Sequence, residues 1–208
     1  MKSLNIYKKR FKEFGVDPKA LLWKSRGAAH QRFRQFWAEI DFDNKSVLDI
    51  GCGFGEMGNF LTKRYENVLY KGVDITPEFI KNGKLLYPHL DLEIHDFHAL
   101  TKAVSCSDIK FNVVLASGVL NSNYGSTKKN MDYRKKSIKE MFALTDNCFA
   151  FNMLGSHPQL KNKKDSNVWY ADSLEILNFC MTLTKKVLLR SNYHPTDFTI
   201  FMYKTNKK

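Results

Sequence analysis

The 208-residue chain predicts an α/β protein built on a doubly wound, mostly parallel sheet with helices on both faces. Three observations lead there. From about residue 45 onward, short apolar runs alternate with amphipathic helical stretches, the pattern of successive β-α units. The run SVLDI passes directly into GCGFG, a glycine turn of the kind that carries a strand into a helix beside a ligand. The last two apolar runs, KKVLLRS and DFTIFMYK, are joined by NYHPT alone, short enough for an antiparallel hairpin.

Each element has its own warrant. LNIYKKRFKEFG mixes apolar and basic residues at helical spacing and stops at Gly15. AAHQRFRQFWAEI places Phe33, Phe36, Trp37 and Ile40 on one stripe. Residues 1–44 are therefore expected to form an N-terminal helical cap on a core of 45–208, within one domain. Strands follow at SVLDI, VLYKGVDI, LDLEIHD, FNVVLASG and CFAFNML, and the hairpin brings the number to seven. Helices lie between them at EMGNFLTKRY, PEFIKNGKLLY, KKSIKEMFALT and SLEILNFCMTL. Pro77 suits a first helical turn, and Asp172 or Ser173 suits an N-cap.

Composition narrows the classes. There is no signal-like N-terminus and no apolar stretch near the roughly 20 residues that span a bilayer, so a cytoplasmic protein without a membrane partner is expected. Cys52, Cys106, Cys148 and Cys180 form no C-x-x-C pair and no zinc spacing with histidine, so no metal is expected. Cys148 and Cys180, inside apolar runs, read as buried thiols. Lys and Arg number 33 against 21 acids, a net +12. The excess gathers in residues 7–12, 32–34, 126–139 and 159–164. It reads first as solvated helix faces, because no nucleic-acid motif accompanies it; a basic stripe for nucleic acid is the alternative.

The stretch VLDIGCGFGEMGNFL has two registers. From Gly53 it reads G-F-G-E-M-G, the dinucleotide pattern. From Asp49 it reads D-I-G-C-G-F-G. In the first register Asp49 and Glu56 would flank a pyrophosphate and repel it, and the strand ends at Ile50, so Gly51 rather than Gly53 opens the turn. The second register suits a nucleoside that carries positive charge, S-adenosylmethionine, with its sulfonium and ammonium. Asp49 would hold the ammonium directly or through water, or order the loop. Gly51, Gly53 and Gly55 let the backbone approach the ligand. Gly58 reads as a small residue for helix–sheet packing. Asp74, ending the second strand, can accept both ribose hydroxyls; Asp96, after the third, can accept from the adenine amine; LASGVLN ends the fourth strand with small residues.

LDIGCGFG, GVDIT, HDF and FNVVLASGVLN, in this order, with the final hairpin, resemble the class I S-adenosylmethionine-dependent methyltransferases from about Lys45 to the C-terminus. Asn112 stands where the family often has aspartate. The resemblance implies a Rossmann-like, seven-stranded, mostly parallel sheet with an antiparallel C-terminal hairpin strand, and S-adenosylmethionine as cofactor. It implies a cofactor set of Asp49, Gly51, Cys52, Gly53, Gly55, Asp74, Ile75, Asp96, Phe97, Ser117 and Gly118. PKALLWKSRGAAHQRFRQF is similar to N-terminal lids of a bacterial subgroup. That implies Trp23, Ser25 and Arg26 over the cofactor, with Gln31 and Arg32 reaching its carboxylate.

Methyl transfer is an in-line displacement that needs alignment and, for an oxygen or nitrogen acceptor, a base. Beyond strands four and five lie Asn121, Asn123, Tyr124, Asn152, His157, Trp169 and Tyr170. His157 is the first choice of base, with Tyr124 and Tyr170 beside it as catalytic candidates; His194 reads as a hairpin-turn residue. The N/D-P-P-Y/F signature of amino-methylating DNA enzymes is absent, as is the cysteine of cytosine C5 enzymes. The expected function is methylation of oxygen or nitrogen on a small-molecule acceptor. An RNA or protein methyltransferase using the basic surface comes next, then a non-catalytic cofactor-binding subunit, then a nicotinamide oxidoreductase.

Overall fold

A computed structural model describes residues 2–99, 110–163 and 166–205; Cys106 lies outside them. The chain forms two compact units, one ending at Leu100 and one starting at Thr101.

The first unit opens with α1 (Lys2–Phe14), a 3-10 turn (Pro18–Leu21) and α2 (Arg26–Trp37). Its core then runs β1 (Ser46–Ile50), α3 (Glu56–Thr62), β2 (Leu69–Asp74), α4 (Pro77–Leu86) and β3 (Asp91–Ile94). β2 pairs in parallel with β1 on one side and β3 on the other. Helix α1 ends because Gly15 takes φ +59°, and its N–H returns to the Phe11 carbonyl at 2.8 Å. Tyr7, Phe11 and Phe14 of α1 pack with Leu21 on Ala20, Phe54 and Phe79. Ser25 caps α2 by accepting from the Ala28 N–H. Along the stripe expected on α2, Phe33, Phe36 and Ile40 are buried, but Trp37 is 45% exposed. Its ring stands edge-on to Phe60 under the Arg64 guanidinium, at the margin of the apolar face.

The second unit contains β4 (Phe111–Ser117), a 3-10 turn (Val119–Asn121), α5 (Thr127–Ala143), β5 (Thr145–Ser156), β6 (Ala171–Asp172), α6 (Ser173–Leu183), β7 (Lys186–Arg190) and β8 (Asp197–Tyr203). β5 pairs in parallel with β4 and, near its end, with β6. β8 is last in sequence yet lies between β5 and β7, antiparallel to both. The expected hairpin strand is thus inserted into the sheet. The extra strand, β6, is two residues long and too short to show a period. Cys52, Cys148 and Cys180 are buried free thiols. Among the described residues no helix is long and apolar enough to cross a membrane.

Gly58 packs α3 against β2 as its sequence position suggested. A Cβ there would stand 2.5 Å from Cε1 of Tyr70 and 2.8 Å from Cδ1 of Leu90. Alanine normally favours a helix over glycine by about 1 kcal/mol. Here Gly58→Ala should instead destabilise the protein by about 1–3 kcal/mol through overpacking, measured by urea denaturation.

Candidate functional site

The first unit builds a cradle from the strand-to-helix turn after β1. Gly51, Gly53 and Gly55 all take positive φ, at +70°, +57° and +87°. A side chain would strain this backbone, which explains the alternating glycines. The Gly51 and Cys52 N–H groups both donate to the Val73 carbonyl, at 2.7 and 3.1 Å, so the turn starts directly at the strand end. Gly51 is therefore the first turn residue, as the second register requires. Gly72 on β2 leaves room for the loop: a Cβ there would meet the Cys52 Sγ at 2.9 Å and Leu92 at 2.7 Å.

Two carboxylates meet this loop. Asp74 accepts the Gly53 N–H on Oδ2 at 3.0 Å and the Thr76 N–H on Oδ1 at 2.8 Å. Burial pushes its carboxyl above the ordinary value, against the pull of the Thr76 and Gly53 amides. Asp49 is 2% exposed and accepts from the Tyr70 hydroxyl at 2.6 Å. Burial pushes its carboxyl up to about 7; the Tyr70 hydrogen bond opposes this and the Asp74 charge adds to it. The Cys52 thiol is pushed up as well, by burial and then by the charges of Asp49 and Asp74. A cation beside the loop would relieve these carboxylates, and an anion would raise the cost of ionising them.

The N-terminal segment rests on the loop. Leu21 carbons lie 3.0 Å from where a Gly53 Cβ would be. Trp23 is half-buried, its ring 5.7 Å from Phe33, with the Arg32 guanidinium 5.1 Å from its centroid. Arg32 also donates to the Ala28 carbonyl at 3.1 Å. Arg26 pairs with Glu56, the first residue of α3, at 3.1 Å. His30 approaches the same oxygen at 3.5 Å, and the Tyr87 hydroxyl donates to the other at 2.6 Å. Glu56 therefore fastens α2 to the helix that leaves the glycine turn. Past β2, Ile75 is 43% exposed. Past β3, Asp96 is exposed and accepts the His98 N–H at 3.0 Å, while the Phe97 ring lies 3.9 Å from the His98 ring.

In the second unit, Ser117 ends β4 and Gly118 follows with φ +77°. Ser117 donates to Oδ1 of Asn152 at 3.3 Å. Asn152 is 1% exposed, and its Nδ2 has no hydrogen-bond partner among the described residues. Thr199 stands opposite it on β8 and shares a hydrogen bond with the Tyr193 hydroxyl. His157 follows β5 directly, with Nδ1 3.2 and 3.1 Å from the two Asp172 oxygens. Tyr124 lies against Tyr133, ring centroids 4.3 Å apart, and its N–H donates to Asn130. Tyr170 is tied by its backbone to Asn162 and Gln159. His194 is more than a turn residue: its Nδ1 lies 3.4 Å from Oδ2 of buried Asp197 and accepts the Thr196 N–H.

A family model described as a methyltransferase domain matches residues 41–170. The chain belongs to this methyltransferase family. It is 26% identical over 166 residues to Rv1506c of Mycobacterium tuberculosis, a protein named as a methyltransferase, covering 79% of this chain and 96% of that one. Its fold is similar to the magnesium protoporphyrin IX methyltransferase of Synechocystis PCC 6803, solved with bound SAH (TM-score 0.63, 12% identity, 98% and 95% coverage). It is also similar to a SAM dependent methyltransferase of Archaeoglobus fulgidus (TM-score 0.59, 17% identity, 86% and 95% coverage). The class I fold of the methyltransferases is thereby shown for this chain.

Several residues of this methyltransferase were not evident in its sequence. Tyr70 looked like one apolar residue of a strand; only the pairing of Val47 with Tyr70 and Asp49 with Gly72 shows its hydroxyl meeting Asp49. Glu56 looked like a loop acid and is the fastening point of α2. Asp172 was legible as a helix cap, which it is, but its contact with His157 comes from β5–β6 pairing.

Two predictions follow from this geometry. Folded Asp49 keeps its proton up to about pH 7, whereas an unfolded aspartate loses it near pH ~3.9. The folded state therefore binds the extra proton between these values, and stability falls as pH rises through that window, by at most a few kcal/mol from this group. Asp49→Asn keeps an acceptor for Tyr70 and should flatten much of that slope in denaturant titrations at pH 5 and 8. Glu56→Gln should loosen the N-terminal segment by about 1–2 kcal/mol, read as faster amide hydrogen exchange in α2 with β1 and β2 unchanged.

Proposed function

We propose that this protein is an S-adenosylmethionine-dependent methyltransferase acting on an oxygen or nitrogen of a small molecule. One observation carries the cofactor: two carboxylates, Asp49 and Asp74, meet the glycine turn, and both have pKa values raised by burial. Such a turn suits a nucleoside with positive charge and resists a pyrophosphate. The bound SAH of the Synechocystis neighbour supports the same ligand. When bound, S-adenosylmethionine supplies a methyl carbon activated by its sulfonium.

This chain's own residues divide the remaining work. Gly51, Cys52, Gly53 and Gly55 form the cradle, and a bound cation draws the raised Asp49 carboxyl into its ionised form. Asp74 keeps lone pairs beyond its two amide bonds, and these accept the ribose hydroxyls. Exposed Ile75 offers an apolar face to the adenine, Asp96 accepts from its amine, and Phe97 packs nearby. Trp23 and Arg32 lie in the lid, with the guanidinium directed to the cofactor carboxylate once it leaves the Trp23 face. Ser117 and Gly118 end their strand with small residues that admit a ligand.

On the acceptor side, the unpartnered Nδ2 of buried Asn152 is a donor for an acceptor oxygen. His157 is the base: Nδ1 is engaged by Asp172, and among the described residues Nε2 makes no hydrogen bond. Tyr124 and Tyr170 act as wall and hydrogen-bonding groups for the acceptor. The fold neighbour named for magnesium protoporphyrin IX supports a small-molecule acceptor. An RNA acceptor is less favoured, because Lys128 and Lys136 of basic α5 pair with Asp132 and Glu140 one turn on.

Calorimetry should show S-adenosylhomocysteine binding and no NAD binding; NAD binding without S-adenosylhomocysteine binding overturns the assignment. Asp74→Ala should lose about 1.5–3 kcal/mol of that affinity, roughly 10- to 150-fold. Transfer from methyl-labelled cofactor into a protein-free metabolite extract, and not into RNA, is the expected acceptor result.

A further inference from the structure

His157 and Asp172 come together through the sheet rather than the sequence. β5 and β6 pair in parallel with Ser156 beside Asp172, so the residue after Ser156 is placed next to that carboxylate. Asp172 is itself held. Its Oδ1 accepts the Leu174 and Glu175 N–H groups at 2.9 and 3.2 Å, as the N-cap of α6. Burial alone would raise its carboxyl, but the Glu175 amide, the His157 ring and the Leu174 amide outweigh this and hold it below the ordinary value. The carboxylate is thus ionised at neutral pH and fixed by a helix end and a strand pair. Both of its oxygens lie within hydrogen-bond reach of one ring nitrogen, Nδ1.

We propose that Asp172 is a positioning residue that holds His157 in the Nδ1–H tautomer, so that Nε2 keeps its lone pair for the acceptor's proton. This rests on the reading of His157 as the base. An ionised carboxylate only accepts hydrogen bonds, so Nδ1 must carry the hydrogen and Nε2 is left basic. The acceptor's O–H or N–H proton moves to Nε2 and its bonding pair stays on the acceptor atom to make the new bond to carbon. The imidazolium that results faces the Asp172 charge, and its half-exposed ring returns the proton to solvent. His194 is placed differently: its Nδ1 lies 3.4 Å from an Asp197 oxygen and also takes the Thr196 N–H. The two histidines that end up near aspartates are therefore not equivalent, and the difference lies in what each Nδ1 touches. Among the described residues Asp172 is the ionisable group in contact with the His157 ring; Glu175 enters through its backbone N–H on the same carboxylate.

The test needs no acceptor. In the full-length 15N-labelled protein, the His157 ring signals are assigned by their loss in His157→Gln. Long-range 1H–15N spectra of the neutral ring should show a protonated Nδ1 and an unprotonated Nε2. Asp172→Asn keeps an oxygen for the α6 amides but removes the charge, and should let the neutral His157 ring populate both tautomers; Asp172→Glu should restore the Nδ1–H form. A neutral ring protonated on Nε2 in the wild type, or an unchanged tautomer ratio in folded Asp172→Asn, overturns the proposal. The base reading fails separately. If the spectra are as expected but His157→Gln transfers methyl groups at the wild-type rate, the pair is a structural clamp and the catalytic role of Asp172 falls with the base.

Discussion

Asp74 accepts the Gly53 N–H through one oxygen and the Thr76 N–H through the other. One carboxylate thereby ties the turn after β1 to the start of α4. Asp49, next to last in β1, is buried beneath the same turn's strand end and bonded to Tyr70. Hydrogen bonds satisfy both groups, yet neither bond is an ion pair, so the loop retains an uncompensated demand for positive charge. Much of the first unit follows from that arrangement. Gly72 gives the turn its space, Gly58 admits the Tyr70 ring, and the aromatic residues of α1 pack on Phe54 and Phe79 around it. A ligand carrying positive charge answers the same demand, which is why the electrostatics of the loop, rather than its glycines, separate one nucleoside cofactor from another.

The second unit solves a different problem, that of holding long connections in place at the ends of strands. Arg134 is fully buried on α5. It donates to the Asn130 carbonyl and side chain and to the Ser122 carbonyl, and lies 4.4 Å from the Trp169 ring centroid. Burial pushes its guanidinium down to about 10, which still leaves it charged at neutral pH. Asn121 completes the seam, accepting the Leu154 N–H on its side chain and the Trp169 N–H on its carbonyl. Segments following β4 and β5 are thus joined by hydrogen bonds from interior polar groups. Rigid connections of this kind are what an acceptor site requires, because alignment supplies much of the rate in methyl transfer.

Sequence pattern was a good guide wherever a residue's role depends on its immediate neighbours. The glycines marked the turn after β1, Pro77 opened α4, Asp172 capped α6, and apolar runs marked the strands. It was a poor guide where a side chain acts across the sheet. Trp37 continued the apolar stripe of α2 yet stands at its margin. Arg26 pairs with Glu56, a contact that no spacing in the sequence showed. His194 stands in the connection between β7 and β8 as expected, but its contact with buried Asp197 was not legible.

By itself, the sequence determined the order of strands and helices, the turn that opens at Gly51, and the charge pattern that favours a methyl-donating nucleoside over a dinucleotide. Those features are local: they depend on backbone preference, hydrophobic period and a carboxylate placed next to a strand end. Tertiary structure alone decided that Tyr70 shares a hydrogen bond with Asp49, that Glu56 fastens α2, and that Asp172 faces His157. Each of these joins residues from different elements, and register and packing select such partners among many candidates that no spacing distinguishes.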